Sequence, residues 1–120
     1  MAHSDHKHHQ IDYIEFTVTD LIQAKNFYES AFGWKFNDYG PEYAGIQKES
    51  GEIGGMRQGA VISSGGPLVI LYSNDLKASL MKVKSSGGTI TKDIFSFPGG
   101  KRFHFQDPSG NELAVWSDQE

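Results

Sequence analysis

Two ionisable side chains stand at places where they could do chemistry. Glu15 lies midway along an alternating run, with Tyr13 and Thr17 on its own side and Ile14, Phe16 and Val18 on the other. A carboxylate between a phenol and a hydroxyl suits a ligand-facing wall, and it suits a solvated sheet face equally well. His104 is the one histidine of five outside the first ten residues. It alternates with Phe103 and Phe105, so it faces away from that pair, on the side of Arg102 and Gln106. A histidine so placed is either a structural hydrogen-bonding group or a proton carrier. If it faces Glu15 across a concavity, the two would form an acid–base pair. Among the large aromatics Trp34, Tyr43, Tyr72 and Trp116, Trp34 suits the core. Trp116, in register with Ala114 on one strand face, suits a pocket.

Other chemistries lack their residues. No cysteine is present, which excludes disulfides, thiolate nucleophiles and thiolate metal sites. Gly54-Gly55 and Gly99-Gly100 lack the strand–loop–helix setting of a phosphate cradle; the first pair fits a tight strand crossing, the second a flexible lip. No GxSxG or HExxH occurs. Asp107 and Glu112 flank the last turn, where turn formation and solvation account for them.

The elements that must position these residues occur twice, 55 residues apart. A strand from Tyr13 to Thr19 leads to a helix capped at Thr19 or Asp20, with an apolar stripe of Ala24, Phe27, Tyr28, Ala31 and Phe32 and an end at Gly33. Short strands follow at Trp34–Asp38, Tyr43–Lys48 and Glu52–Gln58. Ser63-Ser64-Gly65-Gly66-Pro67 reads as a joint. The order then repeats. A strand from Leu68 to Tyr72 precedes a helix capped by Asp75, with Leu76, Leu80 and Val83 apolar and Gly87-Gly88 at its end. Strands follow at Thr89–Phe95, Arg102–Gln106 and Glu112–Trp116, the last two joined by Asp107-Pro108-Ser109-Gly110, which has type I turn preferences. Two βαβββ modules result, about 11–62 and 67–117, in an α+β fold with a cupped, mixed or antiparallel sheet and its helices outside.

The chain has 120 residues, enough for one domain with a real core. A net charge of −4 with scattered lysines argues against nucleic acid as a partner. No apolar run is long enough to span a bilayer and no signal peptide is visible, so a cytoplasmic location without membrane attachment is expected. Residues 1–10 carry His3, His6, His8 and His9 and almost nothing apolar, as in a mobile, native or added leader outside the fold.

The run Ile14-Glu15-Phe16-Thr17-Val18-Thr19-Asp20-Leu21, then Ala24, Phe27-Tyr28-Glu29 and Phe32-Gly33-Trp34-Lys35-Phe36, resembles the opening of the vicinal oxygen chelate superfamily. Phe105-Gln106-Asp107-Pro108-Ser109-Gly110-Asn111-Glu112-Leu113 resembles its closing motif, and the likeness covers about residues 11–117. That superfamily includes glyoxalase I, bleomycin-resistance proteins, fosfomycin-resistance enzymes and extradiol dioxygenases. With Gly54-Gly55-Met56, the chain is most similar to its small glyoxalase-related members. The resemblance implies a cavity between paired modules, and in the enzymes a divalent metal on three residues that holds vicinal oxygens and stabilises an enediolate or alkoxide. At those three places this sequence has Tyr13, Leu68 and Ala114, of which Leu and Ala cannot ligate. The expectation is therefore a homodimeric, metal-free protein binding a small organic molecule, neutral or cationic, through Tyr13, Glu15, Met56, Leu68, Tyr72, His104, Ala114 and Trp116. The competing expectation is a glyoxalase-type lyase or isomerase with Glu15 and His104 as catalytic acid and base, with or without a nonstandard divalent metal.

Overall fold

In a computed structural model the chain is described over residues 6–60 and 66–119. The elements follow in chain order: β1 (Ile11–Val18), α1 (Leu21–Phe32), β2 (Phe36–Asp38), β3 (Tyr43–Gln47), β4 (Glu52–Gln58), β5 (Leu68–Tyr72), α2 (Leu76–Ser85), β6 (Thr89–Phe97), β7 (Gly100–Gln106) and β8 (Glu112–Ser117). This is the expected α+β composition with βαβββ order twice over. The described residues form two compact units, one of residues 13–60 with 66–67 and one of residues 6–12 with 68–119. Ser63 to Gly65 of the expected joint lie outside the described residues. No helix among the described residues is long and apolar enough to cross a membrane.

In the first unit the strands lie in the order β2-β3-β4-β1. β1 runs parallel to β4, and β4 and β2 run antiparallel to β3, so the sheet is mixed. Asp20 caps α1, its carboxylate accepting from the Gln23 N–H at 3.0 Å. Gly33 ends the helix with φ 74°, a left-handed value that a side chain would disfavour. Leu21, Ala44, Ile46 and Met56 form the core, with Phe16, Val18, Ala24, Tyr28, Trp34 and Phe36 packed on it. The helix stripe is rotated from the expected one. Leu21, Ala24 and Tyr28 meet the sheet, whereas Phe27 and Phe32 are 57% and 67% exposed. The extra apolar positions had made the stripe look wider than the face the sheet can cover.

In the second unit the order is β5-β8-β7-β6, with β5 parallel to β8 and the other ladders antiparallel. Asp75 caps α2 through the Ala78 N–H at 3.1 Å. Leu76, Leu80, Phe103 and Val115 form its core, and Leu71, Val83, Ile90, Ile94 and Phe105 pack against them. The Asp107 turn closes as expected: the Gly110 N–H donates to the Asp107 carbonyl at 2.9 Å, and the Asp107 carboxylate accepts from the Ser109 and Asn111 N–H groups. Gly99-Gly100 is no loose lip. Pro98 and Gly99 (φ 118°) turn the chain between Phe97 and Gly100, which face each other in the β6–β7 ladder.

Residues 6–10 do not stay outside the fold, as their composition suggested. The His9 N–H donates to the Tyr72 carbonyl at 2.6 Å and the Tyr72 N–H to the Gln10 carbonyl at 3.1 Å. His9 Nε2 lies 3.0 Å from Ser79 Oγ, and His8 Nδ1 accepts from the Asn74 N–H at 2.9 Å. Backbone pairing and ring contacts supply what apolar burial does not. Met1 to Asp5, with His3, lie outside the described residues.

Candidate functional site

Each sheet has a face turned away from its helix, and the ladder registers assign the side chains to it. In the first unit Glu15 pairs with Gly55, which pairs with Gly45, which pairs with Asn37. The two glycines leave a floor without side chains, and polar groups lie flat upon it. A Cβ on Gly55 would overlap the Tyr43 and Tyr13 hydroxyls; one on Gly45 would overlap the Glu52 carboxylate.

Tyr13 Oη and Tyr43 Oη are 2.6 Å apart, and Tyr43 donates to Glu15 Oε2 at 3.1 Å. A phenol has one proton, so with Tyr43 committed to Glu15 it is Tyr13 that donates to Tyr43. Burial drives both phenols well above the usual tyrosine range, with the neighbouring carboxylates adding to it, and they stay protonated. Glu15 is 9% exposed, so it does not stand on an open, solvated sheet face. Beside this chain Glu52 accepts from Asn37 Nδ2 at 2.8 Å and from the Tyr39 hydroxyl.

Met56 does not belong here. It pairs with Phe16, one residue out of phase with Glu15 and Gly55, and is fully buried in the core under α1. The period of two that places Glu15 on the helix-free face sends Met56 to the opposite one.

In the second unit Phe103 and Val115 face α2, so Arg102, His104, Ala114 and Trp116 take the other side. Ile70 pairs with Ala114 and Tyr72 with Trp116, which puts Leu68, Ile70 and Tyr72 on that side too. Leu68 is half-buried; Tyr72 and Ala114 are buried. His104 is 6% exposed. Its Nδ1 lies 3.2 Å from Glu112 Oε2, while the buried Nε2 has no hydrogen-bond partner among the described residues. Burial lowers the His104 pKa below the usual value, the Arg102 charge lowers it further, and Glu112 opposes both. Neutral imidazole bonded to a carboxylate carries its proton on Nδ1, which leaves an Nε2 lone pair as an acceptor. The Phe95 ring lies 5.8 Å from His104, and the Arg102 guanidinium lies 5.6 Å from the centroids of both Phe95 and Phe97.

Glu112 is thus more than a turn residue. Extending the Ala114–Trp116 alternation back by one step reaches it, so the signal was present in the sequence. Asp12, which bonds Trp116 Nε1 at 2.9 Å and His6 Nδ1 at 2.8 Å, carried no such signal, nor did Tyr43 as the link between Tyr13 and Glu15.

The three places where the resemblance implies metal ligands offer poor donors. Tyr13 is a protonated phenol already bonded to Tyr43, and Leu68 and Ala114 end in hydrocarbon. This set does not fit the divalent metal of the enzymes.

Comparison with known proteins agrees with the fold. A glyoxylase-like domain-containing protein from Didymella fabae is 31% identical over 121 residues, covering 90% of this chain and 93% of that protein. A hypothetical protein from Bacillus halodurans C-125 superposes with a TM-score of 0.73 at 13% identity, over 95% of this chain and 97% of the other. The Mn(II)-bound glyoxalase from Novosphingobium aromaticivorans gives 0.69 at 19% identity, over 93% of this chain but 40% of the larger one. The family model of the glyoxalase/bleomycin resistance protein/dioxygenase superfamily matches residues 10–115, and the chain belongs to that superfamily.

Proposed function

We propose that this chain binds a small organic molecule on the helix-free faces of its units, without the divalent metal of its enzymatic relatives, and does so as a cytoplasmic homodimer. The observation that carries the reading is that Tyr13, Leu68 and Ala114 stand at the implied metal positions, on faces that carry partly polar walls. Glu15, Tyr13 and Tyr43 offer a hydrogen-bonded, mildly acidic wall; Tyr72 and Trp116 offer aromatic surface, and His104 Nε2 is a buried acceptor without a partner among the described residues. Such walls suit a neutral or cationic organic ligand.

The His104–Glu112 pair favours a second reading, a glyoxalase-type lyase or isomerase in which His104 and Glu15 move protons. A neutral, oriented imidazole is what a general base requires. No step through a metal enters either reading.

The test is metal content by mass spectrometry together with a melting-temperature screen of divalent ions and small organic molecules. Deleting residues 1–10 would remove the backbone pairing of His9 and Gln10 with Tyr72, so the chain is used with His3, His6, His8 and His9 changed to Gln, which keeps that pairing. Binding predicts ligands that raise Tm and no retained metal. Metal held stoichiometrically by that variant would overturn the metal-free reading, and turnover that needs both Glu15 and His104 would favour the second.

A further inference from the structure

One end of the second unit's helix-free face holds an arrangement that its core packing does not require. Tyr72 and Trp116 meet at 73° with ring centroids 5.3 Å apart, and Phe97 stands 6.2 Å from Trp116. In the corner between Tyr72 and Trp116 sits the imidazole of His6. It stacks on Tyr72 at 5.1 Å and 19°, and meets Trp116 edge-on at 5.0 Å and 88°. Its Nδ1 contacts Asp12 Oδ1 at 2.8 Å, while Asp12 Oδ2 accepts from the Trp116 indole at 2.9 Å. The Asp12 side chain is only 10% exposed and that of His6 22%. Asp118 accepts from the Tyr72 hydroxyl.

We infer that Tyr72, Trp116 and Asp12 form a receptor for a flat nitrogen cation bearing an N–H, and that His6 is a displaceable plug occupying it. The geometry matches that class of ligand in three ways. Two aromatic faces at a steep angle hold a planar group by stacking on one wall and edge contact with the other. The same faces attract a positive charge. The carboxylate, fixed by the indole N–H, presents its second oxygen to a ligand N–H in a charge-assisted bond. Imidazolium, amidinium and guanidinium groups satisfy all three conditions; a neutral azole without an N–H satisfies one. The plug is the ligand's own chemistry supplied in cis. Its attachment is short, since only residues 7–11 separate it from Asp12, so any free ligand competes against a high effective concentration.

The inference rests on the reading of this face as a receptor and shares Tyr72 and Trp116 with it, but it needs neither His104 nor Glu15, so the two fail separately. The probe is imidazole at pH 6, where it is mostly imidazolium, with thiazole as the neutral control. The readout is the indole N–H resonance of Trp116 by nuclear magnetic resonance. Trp34, the other tryptophan, packs against the first unit's core and reports that the fold persists. In His6→Gly, imidazole should shift the Trp116 signal saturably in the millimolar range and leave Trp34 unmoved. The wild-type chain should require at least about tenfold more imidazole, because the plug must leave first. Thiazole, or imidazole added to His6→Gly carrying Asp12→Asn, should likewise bind at least about tenfold more weakly. His6→Ala carries the same comparison should His6→Gly unfold, and failure of both to fold would make His6 a structural pin and overturn the proposal. Equal affinity in wild type and variant, or affinity indifferent to Asp12→Asn, would overturn it as well. Either result would leave ligand binding near His104 standing, and a failed ligand screen would leave imidazole occupancy at Trp116 standing.

Discussion

Glu112 and His104 are joined across the β7–β8 ladder, carboxylate Oε2 to ring Nδ1 at 3.2 Å, and this bond decides which imidazole nitrogen is left for a ligand. Thr91 reaches the same carboxylate oxygen at 3.4 Å. Glu112→Leu should therefore release the ring, mixing the Nδ1–H and Nε2–H tautomers of His104. Nitrogen-15 chemical shifts of the imidazole check this: the wild type should show one dominant tautomer and the variant a mixture. An unchanged tautomer would mean that Glu112 does not position the ring.

His104 also predicts a pH dependence. Its pKa in the folded chain lies below the value of about 6.5 expected unfolded, so the unfolded chain takes up the proton first. The unfolded state then binds more protons, and stability rises with pH through the window below about 6.5. It is lost as the pH falls through that window. Denaturant titrations between pH 5 and 7 should show this rise, with a shallower slope in His104→Gln. His9 is shifted in the same direction by desolvation, so His9→Gln serves as the companion control.

Met56 offers a test of face assignment. Buried completely between Leu21, Ala44 and Ile46, it should cost about 2–5 kcal/mol when truncated to Ala, seen as a lower midpoint in denaturant. Ligand affinity measured well below the melting transition should be unchanged. A large affinity loss with little loss of stability would return Met56 to the ligand-facing side.

Gly55 should resist any side chain. Its Cβ would enter the space of the Tyr13 and Tyr43 hydroxyls, so Gly55→Ala should destabilise by about 1–3 kcal/mol through overpacking. Tyr43→Phe removes the nearest of those atoms and the donor to Glu15, while the Tyr13 hydroxyl and the ring edge stay in the way. The double variant should therefore lose less stability than the two single losses summed, and a double-mutant cycle measures the difference.

Unlike these local effects, the order of elements was legible along the chain. Asp20 and Asp75 cap the two helices because a short acceptor before an apolar run satisfies free N–H groups whatever lies beyond it. Strand alternation correctly put Glu15 and His104 on the faces away from the helices, since the period of two is a property of the backbone. The family resemblance put Met56 on the ligand side, whereas its parity follows from a parallel pairing with Phe16 that no local pattern specifies. The width of α1's buried stripe was likewise a tertiary matter, settled by how much helix surface one sheet can cover.

What the sequence determined by itself was the repeat, the caps, the turns and the poor donor chemistry at Tyr13, Leu68 and Ala114, because each depends on residue type and nearby neighbours. The tertiary structure alone decided the partners. It set Tyr43 between Tyr13 and Glu15, gave Glu112 to His104, and folded His6 onto Tyr72 and Trp116. Those contacts join residues up to 110 positions apart, and only the ladder registers bring them within a hydrogen bond or a ring contact of each other.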